Sequence, residues 1–229
     1  MRKGLRFISL LLLAIILTQA DSVFADIFYN DPGAWSSAVS GSVTTMNFEG
    51  IAPSGAATFV GSGAGAKTTV SGLTFAIGST SNGDLFVIGD GLYYPGTSVI
   101  STQQSTTPYN DLVITLPVPT QALSFYYGDF FGDTPTITLS DGAVDNTETF
   151  TARPFLGFWG VTTYDTGATI TSVDISAPSK VFFTTPQGNV INVASISFAA
   201  PEPASLALLG MALLCMTLVY RKQIKRAPK

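Results

Sequence analysis

Apolar residues recur at every second position in short runs, and turn residues divide the runs. Leu73, Phe75 and Ile77 alternate in this way, as do Leu112, Ile114 and Leu116, and then Leu123, Phe125 and Tyr127. A period of two puts such residues on one face of a strand, whereas a helix would need a period near 3.6. Asn82-Gly83 precedes the run Leu85–Ile88, and Asp141-Gly142 follows Thr136–Leu139. Both dipeptides favour tight turns. Further runs stand at Thr44–Phe48, Ser98–Ser101, Glu148–Thr151, Leu156–Val161, Thr169–Ile175, Lys180–Phe183 and Val190–Phe198. About a dozen short strands of this kind predict an all-β fold, an antiparallel, jelly-roll-like β-sandwich. One short helix is expected near the start. Asp31 can cap it, Pro32 suits its first position, and Trp35 and Val39 share a face. Ile51–Ala66 reads as a loop, and Gly91–Thr107 as a long connection with a short strand inside it. No repeat of fixed period is present, which argues against a solenoid or propeller.

Charge divides the chain into three parts. Of the 11 Lys and Arg, three precede Ala25 and five follow Tyr220, so only Lys67, Arg153 and Lys180 lie between. Of the 15 acids, 13 fall between Asp26 and Ala200, which gives this stretch a net charge of −10. Such a surface excludes nucleic acid as a partner, because phosphate binding needs basic side chains. The chain has no histidine, and its single cysteine, Cys215, lies near the C-terminus. Ser-His-Asp and Cys-His catalysis, His-ligated zinc and a disulfide framework are all excluded for the acidic part.

The two basic ends flank apolar runs. Arg2, Lys3 and Arg6 precede the 11-residue run Phe7–Leu17, and Val23-Phe24-Ala25 supplies a cleavage site. Residues 1–25 therefore read as a signal peptide, with the Sec translocon and signal peptidase as partners. An uncleaved N-terminal anchor is the alternative. Residues 26–200 form one extracytoplasmic domain of ordinary size. Pro201-Glu202-Pro203 then breaks the chain before the uncharged run Ala204–Tyr220, 17 residues long. As a helix that run measures roughly 25 Å, at the short limit for a transmembrane span. Arg221, Lys222, Lys225 and Arg226 follow as a cytoplasmic stop.

This order of breaker, apolar helix and basic tail over residues 201–226 resembles the PEP-CTERM sorting signal of exported bacterial proteins. The resemblance implies an exosortase, a membrane-embedded cysteine protease, as partner. It would read Pro201, Glu202 and Pro203 and remove the helix and tail. It also implies a Gram-negative source that makes exopolysaccharide, with the protein exported and then left at the outer surface or in the biofilm matrix. Asp31-Pro-Gly-Ala-Trp35 followed by Asn47-Phe48-Glu49-Gly50 is similar to the opening of many such exoproteins, and Leu156-Gly-Phe-Trp-Gly160 to a later strand. A tail of this kind has also been labelled ice-binding.

Several residue groups are candidates for chemistry inside the domain. Asp141, Asp145, Asn146 and Glu148 place hard oxygen ligands within eight residues, as calcium requires. They lack EF-hand spacing, and a solvated hairpin turn is the reading preferred for them. Tyr126 and Trp159 are candidates for stacking on a sugar, because a ring on the outer face of a strand presents an apolar plane. The alternative places them in the core. Asp129, Asp133 and Glu49 are carboxylates that a glycan-active enzyme would need in pairs. Thr147, Thr149 and Thr151 form a short ladder of the sort an ice-binding face uses, and Thr136 and Thr138 another; threonine is also an ordinary strand residue. The function expected is that of a structural or carbohydrate-interacting matrix protein, not an enzyme, with no obligate cofactor. A calcium-dependent polysaccharide-binding module is the alternative, ahead of a glycan-active enzyme or an ice-binding protein.

Overall fold

The computed structural model describes residues 25–79, 81–103, 109–128, 134–147, 155–178, 180–182, 185–187 and 190–199. Residues 1–24 of the expected signal peptide, the Pro201-Glu202-Pro203 motif, the C-terminal apolar run and the basic tail lie outside the described residues. Among the described residues no helix is long and apolar enough to cross a membrane.

The chain begins with β1 (Ile27–Tyr29), α1 (Pro32–Ala38), β2 (Val43–Met46), β3 (Ala57–Ser62), β4 (Lys67–Val70), β5 (Leu73–Ile77), β6 (Asp84–Ile88) and β7 (Val99–Gln103). It continues through β8 (Tyr109–Thr120), β9 (Ala122–Gly128), β10 (Thr136–Leu139), β11 (Val144–Asn146), β12 (Gly157–Thr162) and β13 (Ile170–Pro178). The small strands β14 (Lys180–Phe182) and β15 (Thr185–Gln187) precede the last strand, β16 (Ile191–Ala199). An eight-stranded sheet runs β1-β12-β9-β16-β7-β6-β3, with β2 also paired to β16. A six-stranded sheet runs β11-β10-β13-β8-β5-β4, and β14 pairs with β15 alone. Every pairing between these strands is antiparallel. The described strands outnumber the eight of a jelly roll.

The alternating residues do what their period requires. Leu73, Phe75 and Ile77 from the smaller sheet and Leu123, Phe125 and Tyr127 from the larger meet in one buried cluster. Each large side chain buried there contributes roughly 1.5–3 kcal/mol. Phe48 packs edge-on against Phe75 at 5.4 Å, closing the core beneath the Glu49-Gly50 turn. The helix forms as its caps dictate: Asp31 accepts from the Ala34 N–H at 2.7 Å and Pro32 opens the first turn. Trp35 is its buried residue, and the indole N–H donates to the Val161 carbonyl at 3.2 Å.

Two segments differ from expectation. Ile51–Ala66 contains β3, an edge strand held by pairing with β6 and by Phe59 packing edge-on against Phe86. Ser195 adopts a positive φ of 48°, and the register of β16 against β9 slips between Ala194 and Ser197. This bulge lets β16 pair with β7 in its first half and with β2 in its second.

Across the larger sheet, Ile27 faces Thr162, Thr162 faces Ala122, and Ala122 faces Ala199. These four residues form a single row perpendicular to the strands.

A candidate binding groove at the sheet edges

β1 and β11 are the outermost strands of their sheets, and each has only three residues. Short edges resist further strand pairing. They also leave the mouth between the two sheets open. A groove of about 530 Å³ lies there, lined by Phe28, Tyr29, Asn30, Asp145, Thr147, Phe158 and Trp159. That volume is within the usual range for small-ligand sites.

Opposite parities of the pleat furnish its walls. On β12, Trp159 turns inward and is 2% exposed, stacking on Phe125 at 4.8 Å. Its neighbour Phe158 turns outward, half-buried, against Trp35 at 6.2 Å and Tyr126 at 5.5 Å. Phe28 on β1 is 36% exposed and tilts against Trp159 at 5.9 Å. The Trp159 Nε1–H donates to Asp145 Oδ2 at 2.8 Å, and Thr147 Oγ1 donates to the same oxygen at 2.8 Å. The groove thus combines exposed ring surface with an exposed amide at Asn30, a carboxylate at Asp145 and a hydroxyl at Thr147. Among the described residues, Asp145 is the one carboxylate in its lining.

The sequence-based candidates scatter differently. Trp159 is not the exposed platform expected of it. It faces into the core because strand parity assigns the outward position to Phe158. Tyr126 lies beside Phe158 on the outer face, next to the groove but not in its lining. Asp145 does enter the groove. Asp141 does not: it borders a second cavity of about 380 Å³ with Ala25, Asp26 and Val144. Asp141 Oδ1 accepts from the Ala143 N–H at 2.9 Å, the ordinary closure of an Asp-Gly turn. Asp26 in that second cavity has its carboxyl raised above the usual range, by burial first and then by the like charge of Asp141. Asn146 pairs through its backbone with Thr136, and Glu148 lies outside the described residues. Among the described residues no three acidic, histidine or cysteine side chains gather to hold a metal. Glu49 accepts from the Ser98 N–H at 3.3 Å and from its hydroxyl at 3.4 Å, fastening the turn after β2 to the start of β7. Asp129, Asp133, Thr149 and Thr151 lie outside the described residues.

Sequence reasoning passed over Phe28 and Asn30. The signal was available: Ile27-Phe28-Tyr29 is an apolar triplet one residue past the predicted cleavage point, in a stretch too short to bury both faces.

Residues 199–223 match the family model described as the PEP-CTERM protein-sorting motif. The motif marks an exported protein that is membrane-anchored and targeted to an exosortase. No curated protein matches the chain. Among solved structures, a family 29 carbohydrate-binding module is similar at 10% identity, over 66% of this chain and 97% of that one, with a TM-score of 0.36. A cleaved adhesin domain of Lys-gingipain is similar at 14% identity, over 76% of this chain and 99% of that one, with a TM-score of 0.34. Likenesses as loose as these carry no inference about the groove.

Proposed function

We propose that this exported PEP-CTERM protein binds extracellular polysaccharide, without cleaving it, in the groove between its sheet edges. The observation that carries the reading is the pairing of exposed ring surface at Phe28 with Asn30, Asp145 and Thr147 in one open groove. A pyranose has apolar C–H faces that pack on rings and an equator of hydroxyls that need hydrogen-bond partners. The groove offers both. Among the described residues its lining holds no Lys or Arg, and the domain is strongly acidic, which suits a neutral glycan better than a polyuronate. The protein then acts as a matrix component that the sorting machinery delivers and the groove fixes to its polymer. No observation on the described residues favours calcium dependence over this reading.

Affinity electrophoresis tests it. The processed protein should be slowed in gels that contain a neutral glucan or mannan, and Phe28→Ala should migrate closer to its free rate. Equal migration with and without every neutral polysaccharide contradicts the proposal.

A further inference from the structure

The row through Ile27, Thr162, Ala122 and Ala199 carries both the first and the last strand of the domain. β1 starts at this row and β16 ends at it. Three strand spacings of about 4.8 Å put the two residues roughly 14 Å apart, on one pole. After Ala199, only Ala200, Pro201, Glu202 and Pro203 precede the apolar run at Ala204. Four residues reach at most about 14 Å when fully extended. Ala199 cannot lengthen this tether without loss. It is buried, paired with Ala122 and Val43, and its carbonyl accepts the Thr120 hydroxyl.

Exposed aliphatic side chains collect on the same pole. Ile27 is 44% exposed, Val43, which faces Ala199, is 44% exposed, and Val118, two residues before Thr120, is 41% exposed. Val144, 55% exposed, shares the second cavity with Ala25 and Asp26. Ile27 and Val43 stand four strand spacings apart, so these side chains fringe the pole rather than form one patch.

We propose that in the membrane-anchored form this pole rests on the lipid headgroups, with Ile27, Val43, Val118 and Val144 against the interface. The short tether gives it nowhere else to go, and the aliphatic fringe suits the headgroup boundary. The acids Asp26, Asp141 and Asp165 near the pole oppose anionic lipid, so contact depends on the tether rather than on attraction. Phe158 lies four residues along β12 from Thr162, which raises the groove roughly 14 Å above the bilayer surface. This inference goes beyond glycan binding and rests on the C-terminal run as the anchor.

The full chain, placed in phosphatidylethanolamine–phosphatidylglycerol vesicles, provides the test. Cys215→Ser removes the only thiol. Single cysteines at Ser42→Cys and Asp165→Cys report on the near pole, and Phe155→Cys on the opposite end of β12; all three positions are exposed. With a fluorophore on each and a quencher on the lipid headgroups, quenching should be several-fold stronger at positions 42 and 165 than at 155. Equal quenching at all three, or the strongest at 155, overturns the proposal. The two near-pole labels sit on separate segments, so a variant that fails to fold leaves the other to decide. Polysaccharide binding by the same labelled proteins is read separately: its loss counts against the groove and leaves the quenching pattern unchanged.

Discussion

Trp159 and Asp145 join the two sheets at their open edge, the indole N–H of β12 donating to the carboxylate of β11 at 2.8 Å. Hydrogen bonds to a charged acceptor contribute roughly 1.5–3 kcal/mol when partly buried. Trp159→Phe and Asp145→Ala should each destabilise the domain by about 1–2 kcal/mol, and the double variant should cost clearly less than the sum. Urea denaturation of the four proteins measures the coupling. Additive losses would mean that the bond does not hold the sheets together.

Phe28 gives a separable prediction. Its ring is exposed at the edge, so Phe28→Ala should change stability little while weakening glycan binding about tenfold, or ~1.4 kcal/mol. Tyr126→Ala removes a ring that packs on Phe158 outside the groove lining, and should reduce affinity less. Calorimetry on both variants with one neutral oligosaccharide ranks them.

Gly160 is required by the helix above it. A β-carbon there would stand 2.7 Å from Trp35 Cδ1 and 3.0 Å from Phe158 Cε1. Gly160→Ala should therefore lift α1 from β12 and cost about 1–3 kcal/mol through overpacking. The lowered melting temperature should be accompanied by greater solvent exposure of Trp35 fluorescence. A melting temperature equal to that of the parent would refute the close packing.

Asp174 makes stability depend on pH. Burial, and after it the like charge of Asp111, pushes its carboxyl up to about 6. The folded state therefore holds a proton that the unfolded state has released, between about pH 4 and pH 6. In that window this group's contribution to stability falls as pH rises, and the full penalty is present above pH 6. Asp174→Asn should be the more stable protein at pH 7, by on the order of 1 kcal/mol once the partly solvent-facing position is discounted. Its advantage should vanish near pH 4. Denaturation across this range reads both limits.

The strands were legible wherever the pleat buries one face, as at Leu73–Ile77 and Leu123–Tyr127. β3 was hidden because Gly and Ser interrupt its short apolar pair Phe59-Val60 and no residue of this edge strand is fully buried, while its partner β6 lies more than twenty residues on. The sorting signal was legible because it is local: a breaker, an apolar run and charges in order. The groove was not, since it gathers Phe28, Asp145 and Trp159 from distant parts of the chain. Alternation showed that either Phe158 or Trp159 must face outward, but not which one. Only the pairing of β12 between β1 and β9 decides that.

The central claim is that a neutral glycan occupies the groove at the sheet edges, and chemical-shift mapping of the processed, isotope-labelled protein tests it most directly. Titration with a neutral oligosaccharide should move the Trp159 indole N–H, the Asn30 side-chain amide and the backbone amides of Phe28 and Thr147, and leave the far edge at β3 unmoved. Shifts confined to another surface, or none at saturating oligosaccharide, would contradict it.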